Sequence, residues 1–302
     1  MSRARSALTA VALTGAGGAL YAWRESKRVE LTETVLRVPG LPPGLQGLRI
    51  LHVADRHFPA NGESLPGFLA AARRQRYDLV VGTGDFVDSA AGWDVALRAF
   101  RSLEPGLGVF AVICGHDRYA RMYAAEALPR LAGRRQSRWV DPRPFIDGLR
   151  TIGVHVLMNA QITAEIGGEL VRFVGIDDAY HGLDRLEAAL PAGGLAAGGL
   201  GAPGFPMLLS HSPDGALNPR ARGFPIAFSG HTHGGQIRIP GYGAPVRHAR
   251  AVGRRNASGV VRVGETQVVI SRGFGTTTLP LRLACPPELG VVVLEALPGS
   301  AS

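Results

Sequence analysis

The sequence predicts an α/β protein, and three observations predict it. Short apolar runs bounded by Gly and Asp recur along the chain, amphipathic stretches stand between them in the first half, and five of the runs end in Asp or His. Val38 to Gly44 is a Pro- and Gly-rich linker, and Leu48 to Ala54 is the first strand, running into Asp55-Arg56-His57. Ser64 to Gln75 reads as a helix with Pro66 in its first turn. Leu79 to Val81 leads through Gly82-Thr83-Gly84 into Asp85-Phe86-Val87-Asp88, and Trp93 to Leu103 is a second helix. Val109 to Ile113 ends at Cys114-Gly115-His116-Asp117, Pro206 to Ser210 delivers His211, and Phe224 to Phe228 leads into Ser229-Gly230-His231-Thr232-His233. Strands are also expected at Val154–Leu157, Leu170–Val174, Val260–Val263, Val268–Ser271 and Val291–Leu294, with a Gly- and Ala-rich surface loop over Pro191–Gly204.

One strand-end carboxylate or imidazole is ordinarily a turn former or a helix cap. Five in one chain point to a shared site, because open α/β sheets assemble their sites at the carboxyl ends of strands. Paired histidines on a glycine-flanked turn add the chemistry of a metal centre.

These blocks, in this order, resemble the calcineurin-like metallophosphoesterase family: Asp-x-His at Asp55, Gly-Asp-x-x-Asp at Asp85, a Gly-Asn-His-Asp-like block at Cys114, the lone His211, and Gly-His-x-His at His231. The stretches Gly230 to Gln236, Ser271 to Gly275 and Leu279 to Leu283 look like its bacterial branch of membrane-attached or exported phosphodiesterases. The resemblance spans about residues 46 to 296 and implies a four-layer αββα sandwich of two mixed sheets with the site at one edge. It further implies that Asp55, His57, Asp85 and His233 hold one divalent ion, and that Asp85 bridges to a second held by His211 and His231. His116 would approach the substrate, oriented by Asp117.

Phosphoester hydrolysis needs charge neutralised on the phosphoryl oxygens and a nucleophile at neutral pH, and two cations about 3.5–4 Å apart supply both. Mixed nitrogen and oxygen ligands suit Mn, Fe or Zn better than Ca. The chain departs from the family at Gly115, which stands where an asparagine would ligate the second ion, and the second site is expected to be weakened. Strand alternation would aim Cys114 elsewhere. Arg56, the middle residue of the first motif, together with Arg272 and Arg282, is a candidate for contact with an anionic substrate, against the ordinary reading of surface or structural ion pairs. Asp88 either supports the Asp85 loop or caps a helix. His52, His155, His181 and His248 lack partners at useful spacings, although His181 falls in a loop expected near the site.

The chain has 302 residues, 46% hydrophobic content and a formal net charge of +9 carried by arginine apart from Lys27. No helix-turn-helix, zinc-finger or aromatic-basic repeat accompanies that charge, so nucleic-acid binding is not expected, whereas affinity for an anionic lipid surface is. Two cysteines, Cys114 and Cys285, exclude a disulfide framework. The uncharged stretch Ala7 to Trp23, flanked by Arg3 and Arg5 before and Arg24, Lys27 and Arg28 after, is expected to be an uncleaved signal anchor, with an export signal or a soluble helix as alternatives.

The chain is therefore expected to comprise an anchor and linker over residues 1–45 and a hydrolase domain over 46–302, membrane-associated, with the catalytic domain outside the cytoplasm. The expected activity is phosphodiesterase or pyrophosphatase action on a lipid-linked or small-molecule phosphoester. The alternative is a degenerate family member that binds one ion and a phosphorylated ligand without turnover.

Overall fold

The computed structural model describes residues 16–119, 139–190 and 203–298. Two six-stranded sheets form the centre. Their strands are β1 (Glu30–Val38), β2 (Arg49–Val53), β3 (Leu79–Thr83), β4 (Val109–Val112), β5 (Val154–Val156), β6 (Ala160–Ile166), β7 (Glu169–Gly175), β8 (Phe205–Leu209), β9 (Ile226–Ser229), β10 (Gly259–Val263), β11 (Thr266–Ile270) and β12 (Glu288–Ala296). The first sheet has the order β1-β12-β2-β3-β4-β5 and the second β10-β11-β9-β8-β7-β6. Both are mixed: β2 to β5 run parallel with β12 antiparallel to β2, and β11, β9, β8 and β7 run parallel with antiparallel edges at β10 and β6.

The strands in the middle of each sheet are apolar on both faces because both faces are covered. Phe110, Val81 and Ile50 of the first sheet meet Phe173, Leu209 and Phe228 of the second in the inner core, where the rings of Phe110 and Phe173 stack with centroids 3.7 Å apart. Each such fully buried side chain contributes about 1.5–3 kcal/mol. The outer face of the first sheet is covered by α1 (Leu65–Arg73), α2 (Trp93–Arg101) and α3 (Arg143–Thr151). In α2, Val95, Ala96, Ala99 and Phe100 recur at helical spacing and are buried, while Asp94 in the first turn and Arg98 and Arg101 in the last favour the helix dipole. Trp93 stacks on Phe145 and locks α2 to α3. The short α4 (Leu186–Ala189) and single 3-10 turns cover the second sheet. Three cores between four layers are the expected αββα sandwich.

Two strands were not foreseen, β1 and β6. Both are edge strands with alternating or largely polar sequence, so they lack the continuous apolar run that marks a strand covered on both faces. β1 lies inside the segment assigned to anchor and linker, and it pairs in parallel with β12 over its full length. Residues 16–25 are helical up to Glu25, whose carboxylate accepts the Cys285 N–H at 2.7 Å. Residues 1–15 and most of the Gly- and Ala-rich stretch fall outside the described residues, among which no helix is long and apolar enough to cross a membrane.

Candidate metal centre

β2 and β3 are parallel neighbours in one sheet and β8 and β9 in the other, so their carboxyl ends meet at one edge of the sandwich. Asp55 and His57 follow β2, Asp85 follows β3, His211 follows β8, and His231 and His233 follow β9. All six predicted ligands come together there. Five of them, Asp55, His57, Asp85, His231 and His233, take left-handed backbone with φ between 46° and 71°. Non-glycine residues there cost of order 1–3 kcal/mol each. The turns exist because the chain must curl at each strand end to aim its side chain inward. Gly230 and Gly273 sit against the Asp55 side chain, where any Cβ would collide with it.

Ligating atoms of Asp55, His57, Asp85 and His233 all lie within 4.8 Å of one another, and those of Asp85, Cys114 and His211 form a second such group. The Asp85 Oδ2 atom is 3.6 Å from His57 Nε2 on one side and 3.5 Å from His211 Nε2 on the other. Asp55 Oδ1 is 3.6 Å from His233 Nε2, and His57 Nε2 is 3.2 Å from His233 Nε2. His211 Nε2 lies 3.1 Å from His231 Nδ1. These separations are what ligands about 2.0–2.2 Å from a common ion require. The donor set therefore fits two divalent ions sharing Asp85.

Two imidazoles are held at their other nitrogen by a backbone carbonyl, the arrangement that fixes a metal-ligating tautomer, a third faces a carboxylate, and His233 Nδ1 instead faces the Arg282 guanidinium at 3.4 Å. Asp88 Oδ1 is 3.1 Å from His57 Nδ1, the Thr83 carbonyl 2.8 Å from His211 Nδ1, and the His248 carbonyl 3.0 Å from His231 Nε2. The Asp55 carboxylate also accepts the His231 N–H at 2.9 Å, tying the two sheets together.

Charge follows the packing. Burial alone would raise Asp85, but the imidazoles of His116, His211 and His57 hold it well below the usual carboxylate range. Burial would likewise lower His211, yet the carboxylates of Asp85, Asp55 and Asp178 bring it up to about 9. Burial raises Asp55 to about 6 and, with His211 adding to it, lowers His231 to about 3.

His116 borders the centre, and the remaining sequence-designated residues stand behind it. His116 packs edge-on against His57 with centroids 4.7 Å apart, and its Nδ1 is buried with no protein partner. Asp117 turns away from it. Its carboxylate accepts the backbone N–H groups of Asp85 (3.0 Å), Phe86 (2.9 Å), Val87 (3.3 Å) and Cys114 (3.0 Å), and so shapes the β3 and β4 loops. Arg56 is buried with its guanidinium 4.2 Å from the Phe58 ring and 4.4 Å from Phe274, and it donates to the Ser64 carbonyl. Its motif is not extended, so the middle residue is directed into the aromatic layer. Arg272 pairs with Glu288 at 2.8 Å and Glu30 at 3.1 Å. Arg282 is 0% exposed and donates to the carbonyls of His233, Arg272, Gly273, Gly275 and Cys285.

His181, expected in a loop near the site, and Asp178, which the sequence reading gave no role, lie beside Gly115. Asp178 accepts the Gly115 N–H at 2.8 Å and the His181 ring nitrogen at 2.8 Å, and a Cβ on Gly115 would stand 2.8 Å from His181 Cε1. The His181 ring therefore occupies the space into which an asparagine would project. The Gly175-to-His181 loop offered the only sequence signal for this, its double aspartate.

A sequence model of the calcineurin-like phosphoesterase family matches residues 48–235. The chain is 28% identical to the uncharacterized metallophosphoesterase YkuE of Bacillus subtilis, covering 96% of this chain and 94% of that one. It is 25% identical to the phosphodiesterase YaeI of Escherichia coli over 82% of each chain, and 26% identical to the UDP-2,3-diacylglucosamine pyrophosphatase LpxG of Chlamydia muridarum over 72% of each.

Proposed function

The chain belongs to the calcineurin-like phosphoesterase family, and on that premise we propose that it is a two-metal phosphodiesterase or pyrophosphatase acting on a lipid-linked phosphoester at a membrane surface. It is a metallophosphoesterase, a hydrolase of phosphoester bonds. The observation that carries the two-ion reading is Asp85 Oδ2, set between His57 Nε2 and His211 Nε2 at nearly equal distances.

When bound, two divalent ions neutralise the phosphoryl oxygens and supply a nucleophile at neutral pH. The chain provides everything that positions them. Asp88, Thr83 and His248 aim three imidazoles, and Asp117 fixes the backbone that carries Asp85. His116 presents an imidazole whose Nδ1 has no protein partner, and burial holds that ring below its usual pKa. It hydrogen-bonds a phosphoryl oxygen or hands a proton to the leaving oxygen, help typically worth ~10²–10⁴-fold.

A lipid-linked substrate is supported by a cavity of about 730 Å³ beside His57 and Asp88, lined by Lys27 and Arg74 together with Leu31, Phe274 and Pro280. Basic and apolar walls side by side suit a molecule with a phosphate and an acyl portion. Membrane attachment is supported by Leu20, Tyr21 and Trp23, exposed on the helix at residues 16–25 next to Arg24, Lys27 and Arg28. The phosphodiesterase and pyrophosphatase relatives bear on the bond type. The test is hydrolysis of an aryl phosphodiester by purified protein with added manganese. Wild type should turn it over and Asp85→Asn should not; a folded Asp85→Asn variant with undiminished rate overturns the reading.

A further inference from the structure

We propose that Cys114 Sγ is a ligand of the second ion, standing in for the side chain that position 115 lacks; this rests on the two-ion reading above. Strand alternation aimed Cys114 away from the site, but β4 ends at Val112 and Gly115 already has helical backbone, so alternation does not reach residue 114. The turn swings the thiol inward. Its sulfur falls within 4.8 Å of ligating atoms of both Asp85 and His211, and it donates its proton to Asp85 Oδ1 at 2.7 Å.

The neighbouring backbone is built to admit the sulfur. A Cβ on Gly84 would stand 2.7 Å from Sγ and 3.3 Å from His211 Nδ1, so only glycine at that position, with φ 86°, lets sulfur and imidazole approach the β3 loop together. The ordinary route to the second ion is closed from the other side, since the His181 ring, held by Asp178, fills the space next to Gly115. With Cys114 added to Asp85 and His211, the second site has three protein donors close enough to share one ion, and it does not depend on residue 115. Binding replaces the S–H bond with a sulfur–metal bond, and one proton leaves to solvent with no change in oxidation state.

A thiolate changes which metal the second site prefers. Soft sulfur with imidazole favours zinc or cobalt, whereas the first site, with two carboxylates and two imidazoles, also suits manganese. The second position should therefore retain zinc or cobalt under conditions where it releases manganese.

The experiment is titration of the metal-free full chain with cobalt(II), followed in the near ultraviolet for sulfur-to-cobalt charge transfer, with zinc competition to obtain the affinity at each equivalent. Wild type and Cys285→Ser should both develop the band with the second equivalent. Cys114→Ser should lose it and bind that equivalent at least ~10- to 100-fold more weakly, the loss caused even by removing groups behind a ligand, with the first equivalent unchanged. Two bound ions without the band in wild type and Cys285→Ser overturn the assignment of Cys114 while leaving the two-ion centre intact. Equal affinity of Cys114→Ser and wild type does the same. Failure of wild type to take up a second ion overturns both, and the Cys285→Ser result decides the matter if Cys114→Ser does not fold.

Discussion

Replacing Asp117 by asparagine separates a structural role from a catalytic one. The carboxylate faces two pairs of amide donors: Oδ2 accepts from Asp85 and Cys114, both at 3.0 Å, and Oδ1 from Phe86 at 2.9 Å and Val87 at 3.3 Å. An asparagine of the same shape has one oxygen and one NH₂, so whichever way the amide turns, two buried N–H groups face a donor. Each donor left unsatisfied costs about 1–3 kcal/mol, or about 2–6 kcal/mol together. That is a large share of the roughly 5–15 kcal/mol by which a folded domain is stable. At roughly 2–4 °C per kcal/mol for a chain of this order of size, the melting temperature should fall by about 5–20 °C. Thermal unfolding of wild type and variant, each stripped of metal, measures this. If Asp117→Asn melts like wild type and loses rate only with substrates that have poor leaving groups, Asp117 acts through His116 and the reasoning fails.

Two further predictions concern groups around the centre. Arg282→Met strips the carbonyls of Arg272, Gly275 and Cys285 of their donor, while those of His233 and Gly273 keep a backbone N–H, and should lower stability by about 3–9 kcal/mol, with little change in KM among the molecules that remain folded; a raised KM at unchanged melting temperature would make Arg282 a substrate contact. Because His211 is protonated in the metal-free protein up to about pH 9, an ion must displace that proton together with the Cys114 thiol proton, and affinity at the second site should rise about a hundredfold per pH unit as pH increases toward 9, or about tenfold if the thiol is not a ligand. The same raised value stabilises the metal-free fold fully below 6.5, an advantage lost as pH climbs through about 9. Calorimetric binding titrations across this range check it, and a flat profile refutes it.

Central strands and the cluster of Asp and His side chains at their ends were legible in the sequence because both are written as local patterns. A strand covered on both faces must be a continuous apolar run, as at Leu79 to Thr83, and a ligand at its end must be an Asp or His. The edge strands β1 and β6 escaped because one exposed side relaxes that requirement. What sequence could not carry was backbone direction and long-range pairing. The left-handed turns at Asp55 and His57 send Arg56 into an aromatic layer, and nothing in the residue types of Asp-Arg-His says so. Asp117 bonds amides about thirty positions earlier, and the carbonyl that orients His231 belongs to His248, whose side chain is irrelevant to that task. The thiol of Cys114 points inward because β4 stops two residues short of it, a boundary that no hydropathy pattern fixes.

The central claim is one carboxylate shared by two ions, and metal content per chain tests it most directly. Elemental analysis after zinc loading and removal of free metal should find two ions per chain in wild type. In Asp85→Asn, where a neutral amide replaces the shared carboxylate, it should find one or fewer. A wild type that retains no ion, or an Asp85→Asn variant that still holds both, would contradict the account.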